Sequence, residues 1–465
     1  MVQKIQQTLR DSVFARWAVL ILVASMMFFA YMMADILSPL EQLIELPFEE
    51  GGLFGWTSTN YGTFLMGEYI VNVLGFLLLA GYILDKKGVR FAGTMSASMM
   101  VIGAAVMMYA LSDQFRSTGL HEWLGTWMKG MPATCKLSFV GFAIFGCGCE
   151  MAGTTVSRIL AKWFKGKEMA LAMGIEMAIA RLGVTATMLV IPRISNYYDH
   201  SIFAPVAFGT LLLLIGLINY LVFCVMDTKF DKQLIAVGEK TAEVDPTEEF
   251  HASDLFAIFT NKMFWIVSML CVLFYSGIFP FQKYAVRFLS ETIMVNGEFL
   301  TRDAAADMFA FFPFLAMALT PFLGAFIDFK GKGATMLIGG SLIMLICHLC
   351  FAFVLPLYPS KWLATTLIVI LGVSFSLVPA ALWPSVPKII DEKVLGSAYC
   401  LIFWVQNIGL ALVPLLIGWV IDKTQGFKVA MIIFAAFGLL ALFCTFLLKV
   451  EDKRKGYGLE LPNKK

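Results

Sequence analysis

The stretch "GYILDKKGVRFAG", Gly81 to Gly93, interrupts an otherwise apolar part of the chain. An apolar run stops at Asp85, then Lys86, Lys87 and Arg90 gather around Gly88, and a second apolar run follows at once. A tight cationic turn between two greasy runs is what a chain needs where it has crossed a bilayer and must turn back at the headgroups. The turn has a near copy, "GAFIDFKGKGATM", from Gly324 to Met336. Both carry G-x-x-x-D, as Gly81 with Asp85 and Gly324 with Asp328, so the unit is repeated in the two halves of the chain.

The composition agrees with a bilayer as solvent. Of 465 residues 59% are hydrophobic and only 15% charged, where a soluble domain averages about a quarter charged. Mean hydropathy is +0.79. A net charge of +2 with no long basic tract argues against nucleic acid as a partner. Cys147 with Cys149, and Cys347 with Cys350, have metal-like spacings, but no His or carboxylate set completes a site. Helix-packing thiols are expected, with no metal and no cofactor. The polar start "MVQKIQQTLRDSVFARW" leads into a run too long for a signal peptide's apolar region, so no cleavable leader is expected.

A helix needs about 20 mostly apolar residues to cross the hydrocarbon. Twelve such runs are centred near residues 26, 71, 102, 149, 180, 214, 275, 315, 344, 373, 409 and 438. They lack the alternation of a membrane barrel, so an all-α bundle is expected. The longest polar break, Asp227 to Asp254, reads as a linker between two pseudo-symmetric six-helix bundles. The expected layout is a first bundle over 1–226, a linker over 227–260, a second bundle over 261–449 and a tail over 450–465. Lys and Arg crowd the loops after runs two, four, eight and ten and the C-terminal tail, which predicts both termini in the cytoplasm.

Two similar halves, each with nested three-helix symmetry, is a plan used by many secondary transporters. Weaker echoes of the repeated aspartate close the fifth run at Asp199 and the eleventh at Asp422. In the repeated turn glycine permits close helix approach, aspartate suits a neighbouring helix N-terminus, and the cations anchor the loop. Gly81, Asp85, Lys86, Gly88 and Arg90, with Gly324, Asp328 and Lys332, are therefore candidate gating residues. A charged turn that only obeys the positive-inside rule is the plainer alternative.

The first turn resembles motif A of the major facilitator superfamily, matching at Gly81, Asp85, Lys86, Gly88 and Arg90 and departing at Ile83 and Val89. "AKWFKGKEMALAMGIEMAIARLG" (161–183), "ALWP" (381–384) and "LGSAYCLIFWVQNIGLA" (395–411) resemble segments of its lysosomal dipeptide transporter branch. Phe142 and Phe145 stand about where antiporters carry the Arg and Gln of motif B, and motif C is missing from the fifth run. The resemblance implies alternating access about a central site.

Ionisable residues at mid-membrane are costly, and each is a functional candidate. Glu150 lies about 20 Å along the fourth run and Arg181 about 21 Å along the antiparallel fifth, at 1.5 Å per residue. An acid and a base thus share one depth. They either neutralise each other or wait for the opposite charges of a zwitterion: the guanidinium fork for a carboxylate, the carboxylate for an ammonium. In the dipeptide branch an acid and a base at the matching positions are implied to bind the two peptide termini. Trp383, Tyr275, Gln406 and Asn407 are candidate wall residues, and the seventh run is expected to break at Pro280. Glu68 and Asp35 are candidates for carrying a proton. Glu176 is a possible partner for Arg181, Lys283 a second possible carboxylate receptor, and Arg158 a gate contact or a snorkelling side chain.

These readings converge on a secondary transporter, not an enzyme, moving small zwitterions and most simply dipeptides as a uniporter. No Walker A sequence is present to couple ATP. The rivals are an organic-anion facilitator using Arg181 with Lys283, and a non-transporting receptor or scaffold. A monomer in the lipid bilayer is expected, the need for an accessory subunit being left open. No N-x-S/T sequon occurs, which points to a bacterial cytoplasmic membrane.

Overall fold

The computed structural model describes residues 9–165, 167–237, 258–390 and 394–462. Among them are 11 helical stretches long and apolar enough to cross a membrane. One of these, Ser58–Ala110, has 53 residues, far more than the ~20 needed to span the hydrocarbon. Its backbone breaks at Gly88, where φ 75 and ψ 172 lie outside the helical region. That conformation suits a residue without Cβ, and it folds the stretch into two antiparallel spans. The break falls inside the charged turn from which the repeat was read. Eleven stretches, one of them double, make twelve spans.

They are α1 (Val13–Ala34), α2 (58–87), α3 (89–110), α4 (Ala133–Trp163), α5 (Met169–Tyr197), α6 (Phe203–Val237), α7 (Lys262–Thr292), α8 (Arg302–Lys330), α9 (Gly333–Val354), α10 (Lys361–Ile389), α11 (Leu395–Thr424) and α12 (Lys428–Lys455). Helices are the expected form because lipid offers no partner to a free backbone group. Several start on a side-chain cap: Ser12 accepts from Ala15 N, Thr57 from Asn60 N and Thr301 from Ala304 N. A short hairpin after α7 turns at Asn296-Gly297, both with positive φ.

Two expectations are corrected. Helix α6 runs past Asp227 to Val237, so the polar stretch begins as helix and not as linker. Its carboxylates are the reason: Asp227 is buried and takes Lys162 at 2.7 Å and the Trp163 indole at 2.9 Å, and Arg90 reaches it at 3.2 Å. Residues 238–257, most of the expected linker, lie outside the described residues. Helix α7 runs unbroken through Pro280.

Helices α1–α6 form one half and α7–α12 the other. The seam between them runs along α2 against α11 and α5 against α8. A Cβ on Gly418 of α11 would sit 2.0 Å from the Ser58 carbonyl, so the two backbones touch there. We call the face where α1 begins and α12 ends the termini side, and its opposite the far side. Bonds across the seam gather at the far side. Asp422 accepts Ser58 N at 3.0 Å and Thr59 N at 2.7 Å, capping α2 from the other half. Gln42 donates to Ser290 at 2.8 Å, and Arg193 pairs with Asp307 at 3.0 Å. Deeper, the Trp404 indole donates to Val73 O at 2.8 Å, inside the π-helical bulge of α2.

On the termini side, Asp85 and Arg90 of the first turn and Lys332 and Gly333 of the second bond within their own halves among the described residues. Asp85 pairs with Arg158 at 2.5 Å and Arg90 with Asp231 at 2.7 Å. In the second half Lys332 N donates to Glu460 O and Gly333 N to Leu459 O, so the C-terminal tail clasps the turn. Asp328 is within electrostatic range of Lys388, and Lys86 is exposed. A Cβ on Gly81 or Gly324 would meet nothing within 4 Å, so neither glycine marks a close helix approach in this conformation.

Candidate functional site

The sequence places Glu150 and Arg181 on α4 and α5, and the fold turns both toward the seam. Glu150 is half-buried, within electrostatic range of Glu68 and beside Asn407 of the opposite half. Asn407 is buried, and its side chain is a hydrogen-bonding neighbour of the Glu150 carboxylate. Arg181 crosses the seam: its Nη1 donates to Thr320 Oγ1 at 2.7 Å and to Ala316 O at 3.1 Å, both on α8. Its guanidinium lies 4.9 Å over the Phe375 ring of α10, a cation–π contact. Tyr31 of α1 is within electrostatic range of both Glu150 and Arg181, and of Glu176.

Glu150 and Arg181 form no ion pair with each other, nor with any other charged group among the described residues. The mutual-neutralisation reading is therefore not realised here. Glu176 likewise forms no ion pair with Arg181 among the described residues. Each of the two has only neutral hydrogen-bonding neighbours, and these lie on the opposite half.

The wall residues assemble on the second half. The Trp383 indole donates to the Tyr275 hydroxyl at 3.2 Å and stacks on Phe403 at 4.8 Å. Tyr275 stacks on Phe279 at 5.4 Å. Gln406 is half-buried, its Oε1 accepting from Cys271 Sγ at 3.2 Å. Apolar faces with a few polar tips is the usual make-up of a small-molecule site.

Asp35, Glu68 and Lys283 form a separate buried cluster across the seam. Lys283 Nζ lies 3.1 Å from Asp35 and 3.7 Å from Glu68, and donates to Ala34 O at 2.6 Å. Gln282 donates to Asp35 at 2.8 Å. All three charged side chains are 5–7% exposed, and two carboxylates face one ammonium. Lys283 is thus already neutralised, which removes it as a free carboxylate receptor.

Beyond this cluster, Arg287 pairs with Glu41 at 3.2 Å and with Glu45, and donates to Ser58 at 2.9 Å. Burial pushes the Glu45 carboxyl up to about 7 despite the adjacent guanidinium. A cavity of about 610 Å³ opens on the far side, lined among others by Glu45, Trp56, Arg287, Glu291 and Asp422. It contains neither Glu150 nor Arg181 and lies over the far-side bonds across the seam, which we call the latch. The sequence reading did not single out Glu41 or Glu45 as latch residues, and it did not find Arg287, Thr320 or Tyr31. Asp422 carried a signal, the echo of the repeated aspartate. For the others no spacing shows which helix faces which.

The Major Facilitator Superfamily model matches residues 123–409 and 289–462. The lysosomal dipeptide transporter MFSD1 of Danio rerio is 28% identical over 395 residues, 82% of this chain and 77% of that protein. Its Homo sapiens counterpart is 25% identical over 388 residues, 82% of this chain and 75% of that protein. Among solved structures, a point mutant of the nucleoside transporter NupG superposes with a TM-score of 0.68 at 14% identity, over 92% of this chain and 99% of that one.

Proposed function

The chain belongs to the major facilitator superfamily, and we infer from that premise that it carries small zwitterions, dipeptides first among them, by alternating access. The observation that supports this reading is the state of Glu150 and Arg181: two charges of opposite sign on one seam, neither matched by an ion pair. An unmatched charge is tolerated at depth when a ligand supplies its partner. Arg181 takes the peptide carboxylate, Glu150 the ammonium group, and Asn407 with Gln406 the polar parts between. Tyr275 and Trp383 offer flat apolar faces that accept varied side chains. The similarity to dipeptide transporters covering most of the chain favours the same substrate class.

In this reading the far-side latch seals one entrance, and ligand enters from the termini side. The lysines and arginines on that side support a cytoplasmic location for both termini. A bacterial cytoplasmic membrane and a single-chain working unit belong to the same proposal. The repeated turns, Gly81 to Arg90 and Gly324 to Lys332, brace each half while it rocks. Transport is uniport; if a proton is coupled, the cluster of Asp35, Glu68 and Lys283, with one carboxylate in excess, is where it is held. An imposed pH gradient separates the two, because only coupled uptake follows it.

The organic-anion reading loses its second cation, since Lys283 is already paired. Uptake into proteoliposomes decides between them. A labelled dipeptide should accumulate over empty liposomes, and Glu150→Gln should abolish this while leaving any anion uptake intact. No counterflow with any peptide pool would favour a scaffold.

A further inference from the structure

We propose that Thr320 is a positioning residue for substrate: it fixes the Arg181 guanidinium from the opposite half and presents its free edge to the ligand carboxylate. This rests on the reading of Arg181 as the carboxylate receptor. The geometry is directional. The Thr320 hydroxyl donates its one proton to Ala316 O at 2.6 Å, so toward Arg181 it can only accept, at 2.7 Å. Ala316 O takes the same nitrogen at 3.1 Å. Both bonds use Nη1. A guanidinium carries five N–H donors in a rigid plane, so fixing Nη1 while Phe375 lies 4.9 Å beneath sets the rotation of the whole fork.

The edge formed by Nε and Nη2 makes no bond among the described residues, and neither atom is sealed away from solvent without a partner. That edge binds a carboxylate with two parallel bonds. The acceptors that fix the fork are neutral, so they orient the cation without cancelling its charge. They also sit on α8 whereas Arg181 sits on α5, so the receptor is complete only while these helices meet. The carboxylate end of the ligand is thereby tied to the contact between the two halves.

The test compares transport kinetics of a dipeptide and its C-terminal amide by wild-type protein, Thr320→Val, Thr320→Ser and Arg181→Gln. Thr320→Val keeps the shape and removes the acceptor. It should raise KM for the dipeptide by about tenfold, the scale of one hydrogen bond to a charged group, with little change in kcat. KM for the amide, which has no carboxylate to orient, should stay as in the wild type. Thr320→Ser should restore the dipeptide value. Equal effects of Thr320→Val on dipeptide and amide, or none on either, would overturn the proposal while leaving Arg181 as receptor. Arg181→Gln should raise KM for the dipeptide to that of the amide; if it instead raises both alike, or still favours the dipeptide as the wild type does, the receptor assignment fails rather than the role of Thr320.

Discussion

Glu150 and Arg181 illustrate why isolated charges in an apolar helix carry information. A charge at depth without a partner destabilises the fold by several kcal/mol, so it persists where something other than stability requires it. The cluster of Asp35, Glu68 and Lys283 is the contrasting case, since its charges answer each other. Removing the cation should therefore be severe: Lys283→Gln leaves two buried carboxylates together and should cost about 3–5 kcal/mol, seen as a fall in Tm of the purified protein. Glu150→Gln should lower Tm little or raise it, since it removes an unmatched charge. This difference tracks what was legible. Depth along a helix is read by counting residues, so the shared level of Glu150 and Arg181 was available from sequence. Partnership across the seam was not, because Lys283, Asp35 and Glu68 are distant in sequence and no periodicity links them.

Helices α2 and α11 make the tightest part of the seam, and single positions control it. With its Cβ point 2.0 Å from Ser58 O, Gly418→Ala should force the backbones apart and break the Asp422 cap on α2. The far side should then open, read as faster thiol labelling of a Ser290→Cys probe in a cysteine-free background. Acidity should act on the same latch through Glu45. Its folded value of about 7 is raised by burial, and opening to water returns it to the ordinary carboxylate range. The sealed form thus holds the proton more firmly. Acid favours sealing, and labelling at Ser290→Cys, taken relative to a free thiol at the same pH because the thiolate is the reacting form, should rise as pH climbs through that range to about 7 and then level off. Glu41, Glu291, Asp422 and Arg287 face the same group and shape its profile, but Glu45→Gln should flatten this rise. At this scale the sequence was informative about spans and silent about their ends. Apolar run length located all twelve. It missed that α6 continues past Asp227, because acidic residues read as linker until Lys162, Trp163 and Arg90 are seen to hold them.

Across the whole molecule, two halves joined by far-side bonds enclose a seam where one acid and one base stand apart. The architecture follows from repetition and hydropathy, which sequence displays openly. The proposed function rests on which charges remain unmatched, a property of the assembled halves. The central claim is that Glu150 and Arg181 read opposite ends of one ligand. Calorimetric titration of dialanine, N-acetyl-dialanine and dialanine amide into wild-type, Glu150→Gln and Arg181→Gln protein tests it most directly. Acetylation should weaken wild-type binding by about ten- to a hundredfold yet cost nothing further in Glu150→Gln, with amidation and Arg181→Gln related in the same way. Wild-type affinity indifferent to blocking either end, or losses that simply add between variant and analogue, would contradict the account.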